Sequence, residues 1–113
     1  MPRLPFRTIA VSGSSMNPTY SDGDWLLFKA NKRLQANQIQ RMVGRVVIVE
    51  RTNYPGILYI KRLLRVDGAL CWVEGDNKEG STDSRQWGAL TYPEIVGLVL
   101  LRYRRQKTKK VIE

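Results

Sequence analysis

Short apolar runs broken by turn-forming residues recur along the chain, and few of them carry a helical period. Residues 7–12 (RTIAVS), 25–30 (WLLFKA), 45–51 (RVVIVER), 57–66 (ILYIKRLLRV), 69–74 (ALCWVE) and 95–103 (IVGLVLLRY) read as strands. Asn53, Pro55 and Gly56 supply a turn between the third and fourth runs, and Asp67-Gly68 is a tight-turn dipeptide before the fifth. Such spacing predicts a hairpin extended by a further strand. Two long polar loops interrupt the pattern, GSSMNPTYSDGD at 13–24 and GDNKEGSTDSRQWG at 75–88. Only residues 31–42 (NKRLQANQIQRM) have fair helix propensity, and their apolar stripe is weak, so they predict a turn or one short helix. The pattern as a whole predicts an all-β domain with at most one short helix.

A chain of 113 residues has room for one domain and a single modest core. The expected division is a folded unit over 1–103 and a basic tail over 104–113, where Arg104, Arg105, Lys107, Lys109 and Lys110 crowd together. The net charge of +9 is partly an effect of this tail, which is expected to be solvated or to make weak contact with an anionic surface. No stretch approaches the eighteen apolar residues of a membrane span, and the N-terminal run is too broken for a secretion signal. A soluble, cytoplasmic chain with at most peripheral membrane association is therefore expected. Cys71 is the single cysteine, so no internal disulfide is available, and its neighbours Leu70 and Trp72 mark it as a core residue.

The chain contains no histidine, which removes Ser-His-Asp and Cys-His catalysis together with imidazole-based zinc sites. Neither a GxxxxGK[ST] nor a GxGxxG phosphate loop is present. Two features remain. One is the serine-rich loop around Ser12, Ser14, Ser15 and Thr19; each hydroxyl alone reads first as a turn cap or a solvent-exposed group. The other is Lys61, inside an apolar run where period-two counting places it on one face with Ile57, Tyr59 and Leu63. A serine becomes a useful nucleophile only when a base takes its proton, and a lysine serves only if burial keeps its amine neutral. The alternative is a lysine that snorkels to water from an edge strand.

Three ordered segments decide between these readings: GSSMNPT with GDWLLF after it, YIKR, and GDNKEGSTDSRQWG followed by IVG. In that order they resemble the conserved boxes of the signal peptidase I family, across about residues 11–100. The resemblance implies a coiled β-sheet core of the signal-peptidase and LexA type, and a serine endopeptidase with a Ser/Lys dyad. It implies that Ser15 is the nucleophile, Lys61 the general base, and Ser81 the hydroxyl that orients the lysine, with Asp83 and Arg85 supporting the site. The Ser15 N–H would form part of an oxyanion hole, with a second donor from Gly13, where some members carry a serine, or from Ser14. Met16 and Pro18 would border a protein or peptide substrate bound as an extended strand. No metal and no other cofactor is implied.

Fourteen residues precede Ser15, and no anchor is seen among them, unlike in typical signal peptidases. The chain looks most similar to small soluble maturation peptidases of the family, such as those that free the nickel-type superoxide dismutase from its leader. Two alternatives stay open: a LexA-type self-cleaving protein, and a non-enzymatic basic β-domain that binds nucleic acid. No specific nucleic-acid partner is expected on the peptidase reading.

Overall fold

The computed structural model describes residues 5–31 and 34–105. Seven strands run β1 (Phe6–Ala10), β2 (Trp25–Ala30), β3 (Val46–Glu50), β4 (Leu58–Asp67), β5 (Leu70–Glu74), β6 (Leu90–Thr91) and β7 (Ile95–Arg104). They form one sheet in the order β1-β2-β7-β3-β4-β5-β6, every neighbouring pair antiparallel. All six apolar runs of the sequence become strands, with ends shifted by one or two residues. From residue 106 the basic tail lies outside the described residues.

The central strand explains the core. Val46 and Ile48 pack into one apolar cluster with Val11, Met16, Leu26, Phe28, Ile60 and Val99. Val47 and Val49 pack into another with Ile39, Leu63, Cys71, Val73, Leu90 and Ile95. A strand covered on both faces must be apolar at every position, which is why VVIV is an unbroken β-branched run. Register shifts interrupt the β2–β7, β3–β7 and β4–β5 ladders. Such bulges increase local twist and coil the sheet. At the last of them Leu63 pairs with Val73 and Val66 with Cys71, so Leu63 and Val66 share a cluster although strict alternation would separate them.

Two short helices are present. The weakly amphipathic segment 31–42 forms α1 (Ala36–Gln40), which buries Ile39. The second, α2 (Ser84–Trp87), exceeds the single helix expected and lies in the loop 75–88. Its cause is local: Asp83 Oδ1 accepts from the Arg85 N–H, and Gln86 Oε1 accepts from the Asp83 N–H. This reciprocal capping box starts a helix that Gly88 ends at φ +82°, donating to the Ser84 carbonyl. Among the described residues no helix is long and apolar enough to cross a membrane.

Candidate active site

Ser15 sits in the loop that leaves β1 and returns to β2. The base of that loop is closed by Val11, which donates to the Asp24 carbonyl at 2.8 Å and accepts from the Gly23 N–H at 2.7 Å. Met16, only 1% exposed, anchors the loop in the core directly after the serine. The Gly13 N–H donates to Asp22 Oδ1 at 2.8 Å, so it is already engaged rather than aimed at a carbonyl oxygen. Ser14 is exposed, and its carbonyl accepts from Asn17 N–H and from Asn77 Nδ2. The Asn17–Pro18 peptide bond is cis, and Pro18 is exposed.

Lys61 is paired with Val47 in the β3–β4 ladder and is 4% exposed. Burial pushes its amine below the ordinary lysine range; the Asp83 charge opposes that shift and the Arg85 charge reinforces it. Its Nζ donates to Ser81 Oγ at 3.1 Å, and Ser81 Oγ donates to Asp83 Oδ2 at 2.7 Å. Asp83 is fully buried. Burial alone would raise its carboxyl, but hydrogen bonds from Arg85, the Gly75 N–H and Ser81 outweigh this and hold it far below the carboxylate range. Arg85 reaches both oxygens, Nε to Oδ1 at 3.0 Å and an η nitrogen to Oδ2 at 3.1 Å. The chain Lys61–Ser81–Asp83–Arg85 thus stands as one connected network.

Ser15 and Lys61 border one cleft of about 120 Å³, together with Ile9, Ala10, Val11, Ser12, Met16, Leu58, Tyr59 and Ile60. No hydrogen bond joins the two side chains among the described residues, and the lysine is held by Ser81 instead. Pro18 is not among the lining residues. The arrangement offers a hydroxyl and a buried amine with depressed basicity at one opening, which suits a proton transfer from serine to lysine. Among the described residues no cluster of three or more acidic or cysteine side chains gathers to hold a metal.

The sequence singled out neither the tie between the two polar loops nor the aromatic cover of the lysine. Arg62 donates to Asp76 through Nε at 2.8 Å and an η nitrogen at 2.7 Å, and Asp76 Oδ2 also accepts from Thr19 Oγ1 at 2.5 Å. The Asn77 N–H donates to the Ser15 carbonyl at 2.9 Å. A Cβ on Gly75 would lie 2.3 Å from Ser81 Oγ and 2.6 Å from the Ser15 carbonyl oxygen, so only glycine fits where the loops meet. The Trp87 ring lies 4.9 Å from the Tyr59 ring and 6.0 Å from Lys61 Nζ. A polar Asp-Asn turn after a glycine and an arginine beside the lysine were the available signals, but their partners are distant in sequence.

A model of the Peptidase S24-like family matches residues 6–99. The mitochondrial inner membrane protease subunit 1 of Xenopus tropicalis is 28% identical over 114 aligned positions, covering 83% of this chain and 66% of the frog protein. The Homo sapiens protein of the same name is 29% identical, with 83% of this chain and 67% of the human protein covered. The mitochondrial ATP-independent inner membrane protease subunit 1a of Arabidopsis thaliana is 30% identical over 123 positions, with 88% of this chain and 71% of the plant protein covered. The chain spans about two thirds of the length of these relatives.

Proposed function

The chain belongs to the Peptidase S24-like family, and on that premise we propose that it is a serine endopeptidase of signal peptidase type that removes a leader or propeptide with a Ser15/Lys61 dyad. The observation that carries this reading is the shared cleft, which the loop serine and the buried lysine both border while Ser81, anchored by Asp83, holds the amine. Neutral Lys61 takes the Ser15 proton as Oγ attacks the peptide carbonyl. The resulting ammonium returns that proton to the amine nitrogen as the C–N bond breaks, leaving an ester on Ser15. Lys61 then takes a proton from water, whose oxygen attacks the ester carbon and releases the acid as the proton returns to Ser15. The Ser15 N–H makes no hydrogen bond among the described residues and is the first oxyanion donor in this scheme. The Gly13 N–H is engaged with Asp22 and Ser14 is not among the residues lining the cleft, so the scheme rests on the Ser15 N–H.

Strand addition is supported by two edges at the cleft. Among the described residues β1 pairs with β2 alone, and residues 58–61 of β4 pair with β3 alone. Both edges line the opening, so an extended peptide gains main-chain hydrogen bonds while the cleft selects by size. A cavity of ~150 Å³ takes a benzene-sized group, so this one suits a small aliphatic side chain. A nickel-type superoxide dismutase leader is the substrate we put forward from the sequence. The reading includes a cytoplasmic placement and weak contact of the basic tail with an anionic surface; the relatives are named for the mitochondrial inner membrane.

The test is product analysis by mass spectrometry of a mixed peptide pool, including that leader junction, incubated with wild type, Ser15→Ala and Lys61→Ala. Cleavage by wild type and by neither variant is expected. Equal cleavage by Lys61→Ala would remove the dyad, and a purified chain that shortens itself would restore the self-cleaving reading.

A further inference from the structure

We propose that Trp87 is a positioning residue that seals Lys61 from water, and that Arg51 holds its indole in place. The proposal rests on the Ser15/Lys61 reading and concerns how the base is kept fit for use. Tyr59, Lys61 and Leu63 share one face of β4. Leu63 is covered by the apolar cluster, whereas Lys61 lies under the segment 81–87. Ser81 takes the amine's hydrogen bond, and the Trp87 ring comes to 6.0 Å from Nζ. Trp87 is absent from the residues lining the Ser15 cleft, so it approaches Lys61 from outside that opening.

The indole is held on several sides. Tyr59 packs at 4.9 Å with the rings tilted by 60°. The Arg51 guanidinium, just past the end of β3, lies 4.6 Å from the Trp87 centroid and 5.0 Å from that of Tyr54. A planar guanidinium between two rings is a stacking clamp that lysine does not reproduce. Trp87 is also the last residue of α2, whose capping by Asp83 fixes where the ring projects. One carboxylate thus orients both the hydroxyl bonded to Lys61 and the helix that carries its cover.

The charged groups that act on Lys61 are Asp83 and Arg85 from the segment 81–87, with Tyr59 on the same face of β4 and Arg51 beyond the indole. Val47, directly across on β3, carries none. Two opposing effects follow from the ring. Its π face favours the ammonium, but 6.0 Å is at the outer limit of cation–π contact, so that attraction is weak. Exclusion of water favours the neutral amine, and burial is the largest influence on this lysine. Shielding therefore wins, and removing the indole should make Lys61 more basic.

The experiment compares kcat/KM from pH 6 to 11 with the titration of the Lys61 ¹³Cε resonance, assigned by its loss in Lys61→Arg. In Trp87→Ala both midpoints should rise by about one pH unit, with roughly tenfold lower kcat/KM on the acid limb and recovery at high pH. Trp87→Phe, which keeps an apolar cover, should stay near wild type. Arg51→Lys, which keeps the charge but loses the stack, should move in the direction of Trp87→Ala. A folded Trp87→Ala with an unchanged ¹³Cε midpoint overturns the proposal. Should that variant fail to fold, Trp87→Gln keeps bulk while admitting water, and an unchanged midpoint there overturns it equally. The two readings fail separately: activity retained in Lys61→Ala sinks the dyad, whereas an unmoved titration with an inactive Lys61→Ala sinks only the shield.

Discussion

On the proposed dyad, Lys61 would serve as the base because its buried amine is surrounded by one hydroxyl, one aromatic face and a carboxylate further along the network. In the proposed mechanism only the neutral amine accepts the serine proton, so activity should rise with pH through the Lys61 pKa and be lost below it, and burial should bring that limb under the ordinary lysine range. Asp83→Asn removes the charge that favours the ammonium, so the limb should move to lower pH while kcat falls through loss of the Ser81 anchor. A pH profile with an upward shift would contradict this. Gly75→Ala places a methyl against Ser81 and the Ser15 carbonyl. We expect overpacking to cost about 1–3 kcal/mol and at least a tenfold fall in peptide cleavage, read by denaturant melts and turnover. Ser15, Lys61, Ser81, Asp83 and Arg85 were proposed from the sequence because the family resemblance assigns a role to each, and the structure connects Lys61, Ser81, Asp83 and Arg85 by hydrogen bonds. Trp87 and Asp76 lie in the same box, but no role was assigned to them, since nothing local distinguishes a ring over a lysine from a ring in the core or shows that Asp76 reaches Arg62 and Thr19.

Among the elements, the two polar loops behave as one unit. Asp76 connects Arg62 on β4 with Thr19 on the loop of Ser15, and its carboxyl is held below its usual range, chiefly by the Arg62 hydrogen bond. Asp76→Ala should therefore loosen the serine relative to the lysine. Its stability cost should be small, about 1 kcal/mol for a partly screened pair, while kcat drops by a larger factor than the melting temperature implies. Steady-state kinetics beside a thermal melt would separate the two, and an unchanged kcat would show that the tie is only structural. The α2 helix was hidden in a stretch that reads as a polar loop because four residues show no helical period. Its Asp83 and Gln86 cap was nevertheless written at the spacing a capping box requires.

On the scale of the whole molecule, β3 joins the two apolar clusters, so a cavity there weakens both faces of the sheet. Ile48→Ala should cost about 2–5 kcal/mol in urea unfolding, a large part of the ~5–15 kcal/mol typical of a domain. Stability should also fall in acid. The Asp83, Asp76, Glu74 and Glu94 carboxyls are all held below their usual range, so their contribution is present above about pH 4 and is lost as pH drops through the folded values. Lys61 acts in the same sense: its folded pKa lies below the unfolded one, so stability rises with pH between them. Melting temperatures across pH 2–10 would check both slopes.

The strands and the turns were determined by the sequence itself, because period-two alternation and turn chemistry act between residues a few positions apart; the serine box rested on a family resemblance. That VVIV is covered on both faces was seen only once the two clusters were in place. Tertiary structure alone decided which face of β4 continues past its bulge, that residues 9–12 and 58–61 face each other across one cleft, and that Asp76 grips the serine loop 57 residues away. It also decided that Lys61 is dry. Burial depends on what the coiled sheet and α2 place over a side chain, and no local pattern carries that information.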